Sequence, residues 1–326
     1  RGELLAVALA ELAEHLPVLA KNMKHAALIR SLTSKEGSHE RATYQMHTGY
    51  APLGSIKHPS VGSLVIQQKE KKNPEIPAYV SIGGSSFGAG FLGTQVAPFY
   101  IGDPNNPTRN LDFSAGVDHD RFVRRVTLLN GLDKEFASQN RDQAIQDYGT
   151  YNKDAVRMMY SKSVEAFDLS KEPEIYRKGY GENNFGKACL MSRRLVEKGV
   201  RFVEVSLGGW DNHNECFDAV EKNCNTLDPA LGTLIDDLNA RGLLKRTLII
   251  CTGEFGRTPK INANAGRDHW PRSFNGILAG GGVRGGQVIG STNADGTDIK
   301  DHPVNVTDLL CSLCHSLKID PRKENT

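Results

Sequence analysis

Three segments of the sequence combine carboxylates and imidazoles close to glycine residues. Asp211 and His213 follow two glycines, and His269 with Asp268 follows another. Glu254 lies in the segment Thr-Gly-Glu-Phe-Gly-Arg-Thr-Pro. Mixed carboxylate and imidazole ligands suit zinc, manganese or iron better than calcium. We expect Asp211, His213, Glu254 and His269 to converge on a divalent metal ion, with zinc, manganese and calcium kept as candidates.

Such a metal would polarise a phosphoryl or sulfuryl oxygen and lower the pKa of bound water. Arg257, Arg267 and Lys35 are candidates to neutralise an oxyanion, because arginine offers a bidentate fork and lysine a point charge. Ser38 is expected to cap a helix and to place His39 at its N-terminus, where free N–H groups favour an anion. We include His39 among both the catalytic and the metal-binding candidates.

Each candidate also has a purely structural interpretation. Asp211 could cap a turn, His213 could be an exposed residue at a helix start, and Glu254 could form a local ion pair with Arg257. Trp210 is expected to serve packing. The coincidence of three such segments, each at a predicted strand end or glycine loop, favours a functional site.

Apolar patterns predict the elements that position these residues. The run 248–251 and the run 200–206 both read as buried strands that end just before candidate ligands. Ligands bind at the carboxyl ends of the strands in an open parallel sheet. An apolar stripe from 217 to 238 predicts a connecting helix, interrupted near Pro229, so we expect a βαβ unit and a parallel sheet.

Further elements are predicted along the rest of the chain. Residues 120–199 are expected to be mostly helical, with surface or partner-facing excursions, within a single domain covering 1–326. The other predicted elements include strands at 26–30, 77–84 and 276–279 and helices at 3–24, 41–47, 58–72, 184–198 and 303–317.

Composition limits the classes of partner. The 326 residues carry 40 Lys and Arg against 38 Asp and Glu, and this near balance provides no global field for nucleic acid. No apolar run approaches the roughly 20 residues of a membrane span. Cys311, Cys314 and His315 match a haem-attachment spacing, but neighbouring leucines at helical spacing favour an amphipathic closing helix.

Six motifs occur in order, separated by long gaps, at 39–49, 58–60, 208–213, 253–259, 266–270 and 279–283. Together they resemble a bacterial family of sulfatase-like proteins, classed as a domain of unknown function within the alkaline phosphatase superfamily. The resemblance covers nearly the whole chain. It implies an α/β/α sandwich with a mostly parallel sheet and metal ligands at its carboxyl edge, and a periplasmic or exported protein.

The resemblance also implies roles for individual residues. Asp211 with His213 matches the ligand pair of one metal position, Glu254 stands where the superfamily has an Asp of a second position, and His269 matches a late ligand histidine. His39 stands where sulfatases have a Cys or Ser nucleophile, and Phe255 stands where a ligand histidine is usual. These two departures disfavour a covalent phospho-enzyme or sulfo-enzyme.

Members of that family begin with a strand that leads to a Gly-Gly-Pro-Ser turn and a metal-binding Asp. The residues Arg1-Gly2-Glu3 correspond to a point after that turn, so we expect the fold without its first strand. The leading hypothesis is a metal-dependent hydrolase of small phosphate or sulfate esters. The alternative is a non-catalytic member of the fold that binds an anion or, through 120–199, a protein partner.

Overall fold

A computed structural model of the chain describes residues 14–69, 75–84, 87–108, 111–140 and 143–323. The α-helices are α1 (Pro17–Asn22), α2 (His39–Thr48), α3 (Val61–Gln68), α4 (His119–Gln139), α5 (Gln143–Met159), α6 (Glu174–Tyr180), α7 (Asn184–Glu197), α8 (Cys216–Ala240) and α9 (Val306–Ser316). The strands are β1 (Ala26–Thr33), β2 (Tyr79–Ile82), β3 (Phe99–Ile101), β4 (Phe202–Val205), β5 (Leu248–Thr252), β6 (Gly256–Arg257), β7 (His269–Trp270), β8 (Phe274–Gly280), β9 (Gln287–Ile289), β10 (Ser291–Thr292), β11 (Ile299–Asp301) and β12 (Val304–Asn305).

The larger sheet has five strands. Strand β8 pairs antiparallel with β1 on one side and with β5 on the other. The second edge of β1 pairs in parallel with β9 and then with β12. Strand β1 therefore runs in the same direction as β5, and both end at the same edge of the sheet.

Helices cover both faces of this sheet. Leu28 of β1 belongs to a buried cluster with Ile235 of α8, while the next residue, Ile29, clusters with Leu309 of α9. Successive side chains of a strand point to opposite faces. The alternation of apolar residues along β1 thus buries the strand between two helical layers.

The three-stranded sheet is parallel throughout. Strand β2 lies between β3 and β4 and pairs in parallel with both. Val80 and Ile82 of β2 pack with Met191 and Leu195 of α7 in a second core cluster. The carboxyl end of β4 leads directly to the Gly-Gly-Trp-Asp segment.

The prediction of a mostly parallel sheet is wrong for β8, which runs antiparallel, although β1, β5, β9 and β12 all run in the same direction. Strand β5 runs out to the carboxyl edge, and the chain returns from that edge through β6 and β7 into β8. When a short connection leaves a sheet and enters it again at the same edge, the next strand must run antiparallel to the previous one. The predicted βαβ pairing is also wrong: within the described ranges, β4 pairs with β2 and β5 with β8, in separate sheets.

Several local predictions are confirmed. The predicted strand at 26–30 is part of β1, and the helix predicted at 41–47 is α2, which ends at Gly49 in the left-handed conformation. The predicted closing helix is α9, whose Leu309 and Leu313 are buried while Cys311 is exposed. In the part of the chain that the structure describes, no helix is both long and apolar enough to span a membrane.

Candidate metal centre

The candidate residues lie where several elements end at one edge of the fold. His39 is the first residue of α2, which follows β1. Asp211 and His213 lie in the loop after β4, and Glu254 lies just past β5. His269 stands in β7, which pairs with β6. The structure thus brings together residues that are up to 230 positions apart in the sequence.

Three imidazoles point their Nε2 atoms at the Asp211 carboxylate. The distances to an Asp211 oxygen are 3.2 Å from His39, 3.0 Å from His213 and 3.1 Å from His269. The Nε2 atoms of His213 and His269 are 3.1 Å apart. Ligands at about 2.05 Å from a tetrahedral zinc ion lie about 3.3 Å from one another. These four spacings are therefore close to what a first-row divalent cation requires.

The other ring nitrogen of each imidazole is held by an acceptor. Nδ1 of His39 donates to Glu254 Oε1 at 2.6 Å, and Nδ1 of His213 donates to Asp268 Oδ1 at 2.7 Å. Nδ1 of His269 donates to the carbonyl oxygen of Gly37 at 2.8 Å. With Nδ1 as the donor, each ring in its neutral form presents its lone pair at Nε2. Such hydrogen bonds to a carboxylate or carbonyl are the usual way in which proteins orient metal-binding histidines.

One atom of the cluster lacks a hydrogen-bond partner. His39 Nε2 is buried and makes no hydrogen bond with acceptable geometry, although it lies 3.2 Å from Asp211 Oδ2. A buried polar atom without a partner is costly, so its presence calls for an explanation. A cation among His39, Asp211 and His269, whose donor atoms all lie within 4.8 Å of one another, would satisfy it.

The charges of the cluster also favour a cation. The cluster contains three carboxylates, on Asp211, Glu254 and Asp268, and one guanidinium, that of Arg257, whose Nη1 lies 2.6 Å from Asp211. Partial burial would raise the pKa of Asp211, but the hydrogen bond and the positive charge of Arg257 lower this pKa well below its usual range. With neutral imidazoles, these groups carry two uncompensated negative charges. A divalent ion would balance them.

The loops that carry these residues are fastened to each other. The backbone N–H of Arg267 donates to the carbonyl of Asn212, and that of Cys216 donates to the carbonyl of Ala265. At Gly266 a Cβ atom would overlap the backbone of His213. Glycine is therefore required where the two loops cross.

The remaining candidates occupy different positions. Nη1 of Arg267 donates to the carbonyls of Thr258 and Pro259, which folds its own loop, whereas Arg257 reaches the cluster. Glu254 meets the cluster through His39. Phe255 packs its ring 5.0 Å from that of His39 and 4.5 Å from that of His269, and so forms an apolar side of the site.

A second, partly buried polar group lies on α2, and our sequence analysis assigned it no role. His47 Nε2 lies 3.0 Å from Glu204, which also accepts from the hydroxyl of Tyr79 at 2.7 Å. Burial lowers the pKa of His47, but the hydrogen bond and charge of Glu204 outweigh it and raise this pKa. The sequence offered one indication of a role for His47, which is that it lies eight residues after His39 on the same helix.

Fold and site together define a mixed α/β protein with an imidazole and carboxylate cluster of the kind that holds divalent cations. The family described as protein of unknown function (DUF1501) matches residues 7–326, so the chain belongs to that family. This agrees with the predicted membership in a domain-of-unknown-function family. No curated protein matches the chain.

Among solved structures, the chain is similar to the PsFucS1 sulfatase from Pseudoalteromonas sp.. The identity is 13% and the TM-score is 0.46. The similarity covers 95% of this chain and 63% of the sulfatase, so the chain spans less than two thirds of that protein's length.

Proposed function

We propose that the chain is a divalent-metal-dependent hydrolase of phosphate or sulfate esters, built on the α/β/α architecture of the alkaline phosphatase superfamily. The observation that carries the proposal is the convergence of three Nε2 atoms on the Asp211 carboxylate, each from a ring fixed at Nδ1. The helical layers on both faces of the five-stranded sheet support the architecture.

In this proposal Asp211, His39 and His269 hold the cation, and His213 is a further donor. A set richer in nitrogen than in oxygen favours zinc or manganese over calcium. When bound, the cation would supply Lewis-acid polarisation of the ester oxygen and of a nearby water. Glu254 then acts by orienting His39, since its carboxylate accepts from Nδ1 of that ring.

Arg257 is the residue best placed to hold the anionic group of the ester. Its guanidinium contacts Asp211 and lies over the ring of Phe255 at 5.6 Å. A guanidinium presents paired N–H donors that match the oxygens of phosphate and sulfate. The side chain of Asp211 is 49% exposed and that of His39 is 42% exposed, so a small ester can reach the cluster from solvent.

The proposed hydrolysis proceeds without a covalent enzyme intermediate, and the position of His39 supports this. Its Nδ1 donates to Glu254 and its Nε2 faces Asp211, so neither nitrogen is directed at open solvent as a nucleophile. The ring is fixed on both sides, as a metal ligand is. The role of His39 in catalysis is thus to position the cation.

The test measures bound metal and ester turnover on the same preparations. Purified protein is loaded with zinc, manganese or calcium and assayed on an aryl phosphate and an aryl sulfate. The variants are Asp211→Asn and the matched control His315→Gln, because His315 is an exposed residue of α9 far along the chain from the cluster. We expect turnover with zinc or manganese, a loss of about 10³-fold or more in Asp211→Asn, and wild-type activity in the control.

Two other outcomes of this experiment would contradict the proposal. If no metal raises turnover of either ester, and Asp211→Asn changes only stability or anion binding, the chain is a non-catalytic member of its family. Activity that persists in Asp211→Asn would instead locate the catalytic groups elsewhere.

A further inference from the structure

Asn262 lies in the loop between β6 and β7, and its side chain joins two segments of the candidate metal centre. Its Oδ1 accepts from the backbone N–H groups of Asn264 and Gly266, each at 2.9 Å. Its Nδ2 donates to the carbonyl oxygen of His213 at 3.0 Å and to Oδ1 of Asp268 at 3.3 Å. A primary amide offers two donors and two acceptor lone pairs. All four are therefore used within the cluster.

The bond to Asp268 acts on a ring of the cluster. Oδ1 of Asp268 also accepts from Nδ1 of His213 at 2.7 Å, and Nε2 of that ring lies 3.0 Å from Asp211. The side chain of Asp268 is 53% exposed, and an exposed side chain keeps its rotamer freedom unless contacts restrict it. The second hydrogen bond, from the amide of Asn262, restricts this carboxylate. The orientation of the His213 ring is thus fixed through Asp268.

The same amide also holds the backbone that carries this ring. It donates to the His213 carbonyl, and the backbone N–H of Arg267 donates to the carbonyl of the preceding residue, Asn212. Close to these bonds Glu215 and Ala265 have left-handed backbone, with φ of 44° and 55°. Residues other than glycine are uncommon in that region and persist there only where surrounding contacts impose it. The hydrogen bonds between the two loops are contacts of this kind.

We propose that Asn262 is a positioning residue of the metal centre, which orients His213 by holding both Asp268 and the His213 carbonyl. The inference rests on the proposed function, because it treats His213 as a donor to the cation. Asn262 acts through other residues and not as a ligand, since its amide is fully used by its four bonds. Leucine has a similar volume and none of these bonds.

The test is zinc affinity, measured by competition with a chromophoric chelator in Asn262→Leu and in the matched control Asn264→Leu. Asn264 is exposed and enters this network through its backbone N–H and carbonyl. We expect Asn262→Leu to bind zinc about 10-fold to 100-fold more weakly than wild type, as is usual when a group that orients a ligand is removed. We expect the control to bind as wild type does. Circular dichroism verifies that each metal-free variant folds.

A second background separates the orientation of His213 from a general structural role. If Asn262 acts through this ring, adding Asn262→Leu to His213→Ala should leave the zinc affinity unchanged within about twofold. A general structural role would lower the affinity by the same factor in both backgrounds. Should Asn262→Leu fail to fold, Asn262→Ser serves in both comparisons, because its hydroxyl stays near the backbone N–H groups but is too short to reach Asp268.

The failure of this inference is distinct from the failure of the proposed function. Wild-type zinc affinity in the Asn262 variant, or an equal loss in the His213→Ala background, would overturn the inference and leave the metal centre in place. A wild-type protein that binds no zinc would overturn the proposed zinc centre, and the inference with it.

Discussion

The substitution Glu254→Gln separates an orienting role for Glu254 from direct metal binding. Its Oε1 lies 2.6 Å from His39 Nδ1, and glutamine keeps an acceptor but removes the charge. A hydrogen bond to a charged group contributes about 1.5 to 3 kcal/mol. The two side chains are 29% and 42% exposed, so solvent screening places the loss at the lower end of that range. Since about 1.4 kcal/mol is tenfold, we expect zinc affinity to fall about 10-fold.

Competition with a chromophoric chelator measures this affinity in four proteins. Asp268→Asn is the matched variant, because Asp268 accepts from Nδ1 of His213 as Glu254 does from His39. We expect both to bind zinc more weakly than wild type, and Asp211→Asn to lose binding altogether. An affinity unchanged within about threefold in Glu254→Gln would refute the orienting role, whereas a loss as complete as that of Asp211→Asn would make Glu254 a ligand.

Three further predictions concern stability. Gly266→Ala forces a methyl group against the backbone of His213, and we expect a loss of about 1 to 3 kcal/mol in urea unfolding, together with weaker metal binding; unchanged stability would show that the two loops can separate. The pKa of His47 is raised above its ordinary value of 6.5, so protonated His47 stabilises the fold fully below pH 6.5, and this stabilisation is lost as the pH rises through the higher pKa. The free energy of unfolding should therefore fall between pH 5.5 and 9. The variant His47→Gln should lose this part of the pH dependence. Arg193 is 1% exposed and contacts three carboxylates, so Arg193→Met should lower the free energy of unfolding by about 3 to 5 kcal/mol. An unchanged free energy of unfolding in the same urea assay would mean that those carboxylates become protonated or hydrated.

Individual helices and strands could be predicted from sequence patterns because the residues that determine them are close together in the chain. The apolar runs that form β1 and β5 are bounded by turn residues, and α9 shows its buried face as leucines at helical spacing. Helix α7 was predicted to within one residue, since it ends just before Gly199. In each case the signal lies within about 20 consecutive residues.

Helix α8 shows where a local rule fails. Pro229 predicted an interruption, yet the helix continues from Cys216 to Ala240. The adjacent Asp228 accepts hydrogen bonds from the backbone N–H groups of Val18 and Leu19, at 2.9 and 2.7 Å. A contact with a segment 210 positions away thus helps to hold the helix where proline removes one bond.

Strand partners could not be read from the sequence. The direction of β8 depends on which edge of the sheet the chain occupies after the site loops, and that position is fixed by long-range contacts. Short strands with similar apolar composition do not specify their neighbours. The expected parallel sheet was the default for alternating strands and helices, and β8 departs from it.

The candidate site was partly visible. Asp211, His213 and His269 stand out because acid and imidazole groups follow glycines, and the structure brings them together with His39. The acceptors of the Nδ1 atoms were not foreseen as such, because a carbonyl such as that of Gly37 carries no sequence signal. The role of Glu254 as the hydrogen-bond acceptor of His39 is likewise visible only in the folded structure.

The measurement that tests the central claim most directly is anomalous scattering from a crystal of the full chain equilibrated with zinc or manganese. The account predicts a peak bonded to Nε2 of His39 and of His269 and to the Asp211 carboxylate, at about 2.0 to 2.2 Å from each. A crystal in which these three groups keep their direct contacts and the metal lies elsewhere would contradict it.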